Sequence, residues 1–294
     1  MQPICESNHL VMTFAYELQK TMKPSECTYL YEWVNNRMLR GLYIFTKEDV
    51  LSLNLPISHQ ALKNSLTRLF DRGIIMSPWH NFYVIIPTEY KLKGMVPPSF
   101  YIDSLMKYLG HDYYVSHLSA AALNGASHQR AMVFQVMISG RQIRSGLKNG
   151  TRLEFTLKQE LPMSYVNKIK TQMGYMNVSC PELTALDLVA DEKKIGGLSR
   201  VAEVLIELSH VLIWDNQKLP LLGYFSMPVI QRLGFLLEQI EEMGLADALY
   251  SLALSTNRTK RKTWLKQSGE KNTETAIDNR WKIIENYKLE LDDI

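Results

Sequence analysis

The sequence predicts an α+β protein: an N-terminal winged helix-turn-helix domain, then a larger mixed α/β domain with a helical C-terminal part. Helical periodicity over residues 8–72 gives way to a β-hairpin pattern ending near residue 86. Lys91–Pro98 is then short, basic and proline-terminated, which is typical of a linker. We therefore predict two domains, residues 1–95 and 96–294.

The composition excludes several classes of protein. The net charge of +3 is too small for the global field to indicate a nucleic-acid partner. Cys5, Cys27 and Cys180 are too far apart to predict a disulfide framework or a metal knuckle. The N-terminus lacks the pattern of a signal peptide, and charged residues interrupt every long apolar run. We therefore expect a cytoplasmic protein with no membrane association.

Four helices are predicted in the first domain. The first covers residues 8–22, and the second begins after Lys23–Ser25 and ends at residue 39 or 40, before Gly41. Thr46 caps a short third helix, with acidic residues in its first turn. The fourth, residues 59–72, follows Ser58 and is closed by Gly73. Its apolar stripe consists of Leu62, Leu66, Leu69 and Phe70.

A hairpin follows the fourth helix. Ile74–Met76 and Phe82–Ile86 are predicted strands, and Ser77–Asn81 is the predicted turn between them. This order is typical of a winged helix-turn-helix, in which the longer helix enters the major groove and the hairpin forms the wing.

The polar face of residues 59–72 predicts contacts with double-stranded DNA. Amide side chains recognise adenine edges, and cationic side chains contact guanine or phosphate. Two alternatives remain open: a face that is merely solvated, and a winged helix that binds protein. An aromatic residue at the wing tip also packs more often on its own domain than on DNA. The predicted DNA-binding residues are His59, Gln60, Lys63, Asn64, Thr67, Arg68, Trp79 and His80.

The second domain mixes helical and strand patterns. No acidic residue occurs between Asp112 and Glu154, so we predict a basic surface there for a phosphate backbone or an acidic partner; scattered solvated charges are the alternative. Residues 258–266 are interpreted as a solvated basic loop. The predicted helices are 100–109, 117–123, one opening at 179–188, 198–210, 228–243 and 245–254. The predicted strands are 133–138, 151–157, 175–178 and 281–286. The residues of the basic surface are Arg130, Arg141, Arg144 and Lys148.

No catalytic, cofactor or metal site is predicted. The sequence contains no phosphate-binding loop, dinucleotide fingerprint, nucleophile elbow or zinc-protease pair. Asp187 and Asp191 share a helix face, which we interpret as a solvated edge, and His128 and Gln129 as residues that stabilise the fold. The rival hypothesis is a nuclease-like enzyme that uses Asp187.

Two stretches resemble the AbiEi antitoxins, transcriptional regulators of abortive-infection toxin-antitoxin systems. Tyr113–Gln129, YYVSHLSAAALNGASHQ, is similar to the family's signature stretch. Cys180–Val189, CPELTALDLV, is similar to a second stretch that usually begins Thr-Pro-Glu; Ser179-Cys180 replaces that start here. Residues 232–238 and 280–282 are also similar to the family.

The resemblance implies two roles. The first domain would bind inverted repeats upstream of its own operon and repress it, with Gln60, Lys63, Asn64 and Arg68 as the contacting residues. The larger domain would counter a cognate nucleotidyltransferase toxin, by direct contact or indirectly, and assist repression. The alternative is a stand-alone winged-helix transcription factor whose second domain senses a ligand.

Overall fold

The computed structural model describes residues 26–126, 133–148, 150–267, 277 and 280–291. The chain divides into two compact units, and the division falls between Val96 and Pro97. Helices and sheets occur in both units, so the predicted mixed α/β character is confirmed. The predicted helix over residues 8–22 lies outside the described residues.

The first unit contains a three-stranded antiparallel sheet, in which the last strand of the chain order lies in the centre. Leu30 and Val34 of the first helix pack against Leu62 and Leu66 of the third, so the helices share one core with the sheet. The elements are α1 (Glu26–Leu39), β1 (Ile44–Thr46), α2 (Lys47–Leu51), α3 (His59–Asp71), β2 (Ile75–Trp79) and β3 (Phe82–Ile85).

Local signals fix the helix ends in this unit. The Thr46 hydroxyl accepts from the Asp49 amide at 3.2 Å, and the Asp49 carboxylate accepts from the Thr46 amide at 2.7 Å. This capping box satisfies amides that α2 itself leaves unpaired. Ser58 caps α3 by accepting from the Ala61 amide at 3.1 Å. Gly73, with φ +64°, ends α3, as predicted.

Two details of the hairpin and α3 differ from the prediction. β2 continues through Trp79, so the turn consists only of His80 and Asn81, and Asn81 adopts φ 59°. Trp79 is therefore the last residue of β2, paired with Phe82, and directly precedes the two-residue turn. Phe70 was predicted in the buried stripe but is 46% exposed, because it lies about 100° around the helix from Leu69.

The second unit is built on a six-stranded sheet of order β6-β7-β5-β4-β9-β8. The pairs β5–β7 and β4–β9 are parallel, and the other neighbours are antiparallel. The strands are β4 (Tyr113–Val115), β5 (Val133–Ile138), β6 (Gly146–Lys148), β7 (Thr151–Leu157), β8 (Val166–Thr171) and β9 (Gly174–Ser179).

The helices of the second unit surround one buried helix, α6. Every residue of α6 from Glu182 to Val189 is buried, since its apolar side chains point in all directions. No helix in the described part of the chain is long and apolar enough to cross a membrane. The helices are α4 (Ile102–Leu109), α5 (His117–Leu123), α6 (Pro181–Ala190), α7 (Glu192–Ile195), α8 (Leu198–Ser209), α9 (Leu219–Leu222), α10 (Met227–Gln239) and α11 (Met243–Ser255).

The basic stretch near the C-terminus is packed, which corrects its interpretation as a solvated loop. The Arg258 guanidinium donates to the carbonyls of Leu222 and Phe225, each at 2.8 Å. The Lys260 ammonium lies 3.7 Å from the centre of the Tyr250 ring. Within the predicted strand 281–286, only β11 (Ile283–Ile284) forms, paired in parallel with β10 (Thr263–Trp264).

Trp281 anchors this closing segment in the second unit. Its ring is fully buried against α10 at Gly234, where a Cβ would come 2.1 Å from the ring. Its indole nitrogen donates to Glu238 at 3.0 Å, and the Gln231 side chain donates to its carbonyl. A glycine is therefore required at residue 234 for the ring to lie there.

Candidate functional site

The outer face of α3 is polar and exposed, opposite its buried leucines. Gln60 donates to Asn64 at 3.0 Å, and the Thr67 hydroxyl donates to the Lys63 carbonyl at 3.1 Å. Neither Lys63 nor Arg68 forms an ion pair within the described residues, so both cations are available to an external anion. The exposed residues of this face are His59, Gln60, Lys63, Asn64, Thr67 and Arg68.

A cleft of about 490 Å³ separates the start of α3 from the hairpin. Of the predicted DNA-binding residues, His59, Gln60, Lys63 and His80 line this cleft together, while Asn64, Thr67 and Arg68 do not. Trp79 is half-buried in β2 and does not line it. Lys47, at the start of α2, also lines the cleft. Lys47 could not be predicted from the sequence, because no local pattern relates it to α3.

The predicted basic surface of the second unit is only partly described. Arg141 and Arg144 are exposed, and neither belongs to a helix or strand. Arg130 and the side chain of Lys148 lie outside the described residues. Joint action of these four cations therefore stays a prediction.

Asp187 and Asp191 are not a solvated edge, which corrects the sequence analysis. The Asp187 side chain is 1% exposed and accepts from the Tyr114 hydroxyl at 2.9 Å and the Lys158 ammonium at 3.0 Å. Asp191 accepts from His117 Nε2 at 3.0 Å and from the Lys194 ammonium at 2.8 Å. Each carboxylate thus connects an aromatic side chain of the interior with a lysine.

Hydrogen bonding fixes the charge of Asp191. Burial alone would raise the pKa of Asp191, but hydrogen bonds from His117 and Lys194 outweigh it and lower the pKa to about 2. An ionised carboxylate only accepts, so His117 Nε2 carries the proton of this bond. Its Nδ1 lies 2.9 Å from the Ser116 hydroxyl. His117 is buried and adopts φ 51°, which holds the ring between these two partners.

Tyr114 hydrogen-bonds to Asp187 as His117 does to Asp191. Burial, followed by the negative charge of Asp187, raises the pKa of Tyr114 well above its usual value of 10.0. Its hydroxyl therefore stays protonated and keeps donating to Asp187.

The rival hypothesis of a metal-dependent enzyme predicts a cluster of ligands near Asp187. The described residues contain no group of three His, Cys, Asp or Glu side chains suited to a metal ion.

Asp187 and Asp191, with their partners Lys158 and Lys194, line one cleft of about 280 Å³ in the second unit. Its walls are the ends of β5 and β7, the C-terminal half of α6, α7 and the start of α10. The Lys158 ammonium lies 3.9 Å from the centre of the Phe225 ring. The lining residues are Met137, Thr156, Leu157, Lys158, Asp187, Ala190, Asp191, Lys194, Tyr224, Phe225, Ser226 and Val229.

These features define a two-unit α+β protein with an exposed polar helix in one unit and a buried polar network in the other. Residues 114–239 match the family model described as the AbiEi antitoxin C-terminal domain. The greater part of the second unit therefore matches the AbiEi antitoxin C-terminal domain, and the resemblance predicted from the sequence is confirmed for these residues.

Comparison with solved structures shows the same fold in another protein. The crystal structure of the RV2827C protein from Mycobacterium tuberculosis matches with a TM-score of 0.58 and 13% sequence identity. The match covers 86% of this chain and 91% of that one. A comparison with curated protein sequences found no match.

The two sequence stretches that indicated the family contact each other. The Tyr114 hydroxyl donates to Asp187 at 2.9 Å, and the Asn124 amide donates to the Thr184 hydroxyl at 3.2 Å. The polar residues of these stretches therefore join α5 to α6, and the apolar ones form the core around them.

Proposed function

We propose that this protein is an antitoxin that binds operator DNA through its first unit, represses its own operon, and counters a cognate nucleotidyltransferase toxin. The observation that supports DNA binding most directly is the outer face of α3. Its amide and cationic side chains are exposed, and Leu62, Leu66 and Leu69 hold the opposite side in the core. This arrangement leaves the polar face free for a duplex.

The order of elements in the first unit supports a winged helix-turn-helix. Helices α2 and α3 follow one another closely, and the β2–β3 hairpin comes directly after α3. In such domains the longer helix enters the major groove and the hairpin contacts the backbone. We assign base contacts to Gln60 and Asn64, and phosphate or guanine contacts to Lys63 and Arg68. Lys47, His59 and His80 would then face the backbone from the α3–hairpin cleft.

The DNA-binding proposal is tested on the double variant Lys63→Ala and Arg68→Ala. Each lost contact is expected to weaken operator binding by about 1–3 kcal/mol. The slope of log affinity against log salt is expected to fall by about 0.9 for each phosphate contact removed. Lys91→Ala with Lys93→Ala removes the same charge from exposed positions and serves as the control. Equal operator affinity of the two double variants, both folded, contradicts the assignment of α3.

The antitoxin role is tested with the neighbouring gene. We expect an adjacent nucleotidyltransferase reading frame whose induction arrests growth, and growth that returns when this chain is expressed from an independent promoter. The α3 double variant is expected to lose repression. Whether it still rescues growth shows whether neutralisation needs DNA binding. The absence of such a gene, together with no rescue, favours a stand-alone transcription factor with a ligand-sensing second domain.

A further inference from the structure

We propose that the cleft at Lys158 and Lys194 binds a phosphomonoester, such as a nucleoside monophosphate or a phosphorylated metabolite of similar size. This site lies wholly in the second unit. It goes beyond the DNA-binding and antitoxin roles proposed above and does not depend on either.

Two three-residue relays of side chains share one geometry. Tyr114–Asp187–Lys158 and His117–Asp191–Lys194 each run from a buried aromatic donor, through a carboxylate in or directly after α6, to a lysine. Residues four apart on a helix lie on one face, so the two relays point the same way. Both lysines line one cleft as a result.

Exposure increases along each relay from the carboxylate to the lysine. Asp187 is 1% exposed and Lys158 17%, while Asp191 is 25% exposed and Lys194 41%. The lysine is the more exposed member of each pair, so an incoming ligand reaches the ammonium groups more readily than the carboxylates, which also line the cleft. This order favours an anion although the four charges cancel.

The carboxylates hold both ammonium groups in position before a ligand binds. Burying the Asp187–Lys158 pair is costly, and an apolar core of the same volume would be at least as stable. An ammonium has three donors, and its bonds to the protein fix its position. Lys158 uses one donor on Asp187, and Lys194 uses one on Asp191 and one on Thr156, so each retains at least one for a ligand. Protein kinases present a strand lysine to phosphates through an ion pair with a helix carboxylate. Lys158 directly follows β7, and Asp187 lies on α6 in the same relation.

Two further features of the cleft favour a phosphate. It lies at the carboxyl ends of the parallel strands β5 and β7, where ligands of α/β sheets bind. Ser226 and Val229, at the start of the 13-residue helix α10, also line it. The positive end of the helix dipole stabilises an anion there, and the Ser226 hydroxyl makes no capping bond.

The size and walls of the cleft indicate the rest of the ligand. The cleft volume of about 280 Å³ lies just below the usual range for small-molecule sites, which begins at about 300 Å³. It admits one phosphate with a small organic group and excludes a dinucleotide. The Tyr224 ring is 37% exposed at the cleft and offers an apolar surface for a base or sugar.

Calorimetric titration of the full chain tests the proposal with AMP, inorganic phosphate and adenosine. We expect AMP to bind and adenosine, which lacks the phosphate, not to bind. Phosphate binding as tightly as AMP would identify free phosphate as the ligand and still support the anion site. If neither AMP nor phosphate binds, or if adenosine binds as well as AMP, the proposal is overturned.

Variants then locate the site. Lys194→Gln removes one charge-assisted contact and is expected to weaken AMP binding about tenfold. Lys193→Gln removes the same charge from the neighbouring exposed residue of α7 and should leave the affinity unchanged. The pair Lys158→Met with Asp187→Asn avoids an unpaired buried charge and is expected to weaken binding at least as much. Equal affinities of folded Lys193→Gln and Lys194→Gln would refute the assignment.

Discussion

His117 Nε2 and the Asp191 carboxylate lie 3.0 Å apart, although 74 residues separate them in the sequence. The bond joins the first residue of α5 to the residue that follows α6. Because the Asp191 carboxylate also accepts from Lys194, its charge holds an interior side chain and a lysine of the cleft at the same time. Loss of this carboxylate is therefore expected to affect both the fold and the cleft.

Asp191→Asn is expected to destabilise the protein by about 2 kcal/mol at pH 7, since the pKa of Asp191 falls from 3.8 to about 2 on folding. A folded-state pKa below the unfolded value gives stability that is complete above the unfolded pKa. That stability is lost as the pH falls through about 2. Urea unfolding of wild type and variant should therefore differ most above about pH 5 and converge only below about pH 2.

Asp112→Asn is the control for this comparison. Asp112 is exposed, so its substitution should change the free energy of unfolding by less than about 0.5 kcal/mol. A difference between wild type and Asp191→Asn that stays constant from pH 7 to the acid limit would contradict the role given to the Asp191 charge.

Gly234→Ala is expected to destabilise the second unit by about 1–3 kcal/mol, because the new Cβ would overlap the buried Trp281 ring. Alanine favours a helix by about 1 kcal/mol over glycine, so the overlap must exceed this gain. Gly244→Ala is the matched control, since Gly244 also lies in a helix and a Cβ there has nothing within 4 Å. In thermal unfolding, the midpoint temperature should fall for Gly234→Ala and stay unchanged for Gly244→Ala. A midpoint of Gly234→Ala equal to that of wild type would show that the ring moves aside easily.

Thr46→Ala is expected to lower the stability of the first unit by about 1 kcal/mol, because it removes the hydroxyl that caps α2. Thr46→Ser keeps this hydroxyl and should retain most of the stability. Urea unfolding followed by the fluorescence of Trp33, which packs on Phe45 of β1, measures the difference. Equal losses in both variants would mean that the methyl group, and not the cap, is what matters.

Local signals made the first unit largely predictable. Capping residues, closing glycines and the leucine stripe of α3 are all close in sequence, so they identified the helices and the exposed polar face. The strands β1, β4 and β6 were missed because each has three residues, too few for an alternation to show. β8 was missed because its residues are mostly polar, and only pairing with β9 makes it a strand.

The cleft of the second unit could not be derived in the same way. Asp187 and Asp191 were interpreted as solvated because carboxylates usually are. A signal was present in the apolar residues on all sides of α6, which are typical of a buried helix and imply buried partners for its acids. The identity of those partners, Tyr114, His117 and Lys158, depends on tertiary contacts across about 30–70 residues.

The contact between Trp281 and Gly234 also constrains how relatives of this protein can diverge. A larger residue at 234 becomes acceptable only where residue 281 has lost its bulk, so the two positions should change together during evolution. The same dependence makes the Trp281 segment part of the folding of the second unit, since only the Trp281 ring fills the groove at Gly234 on α10.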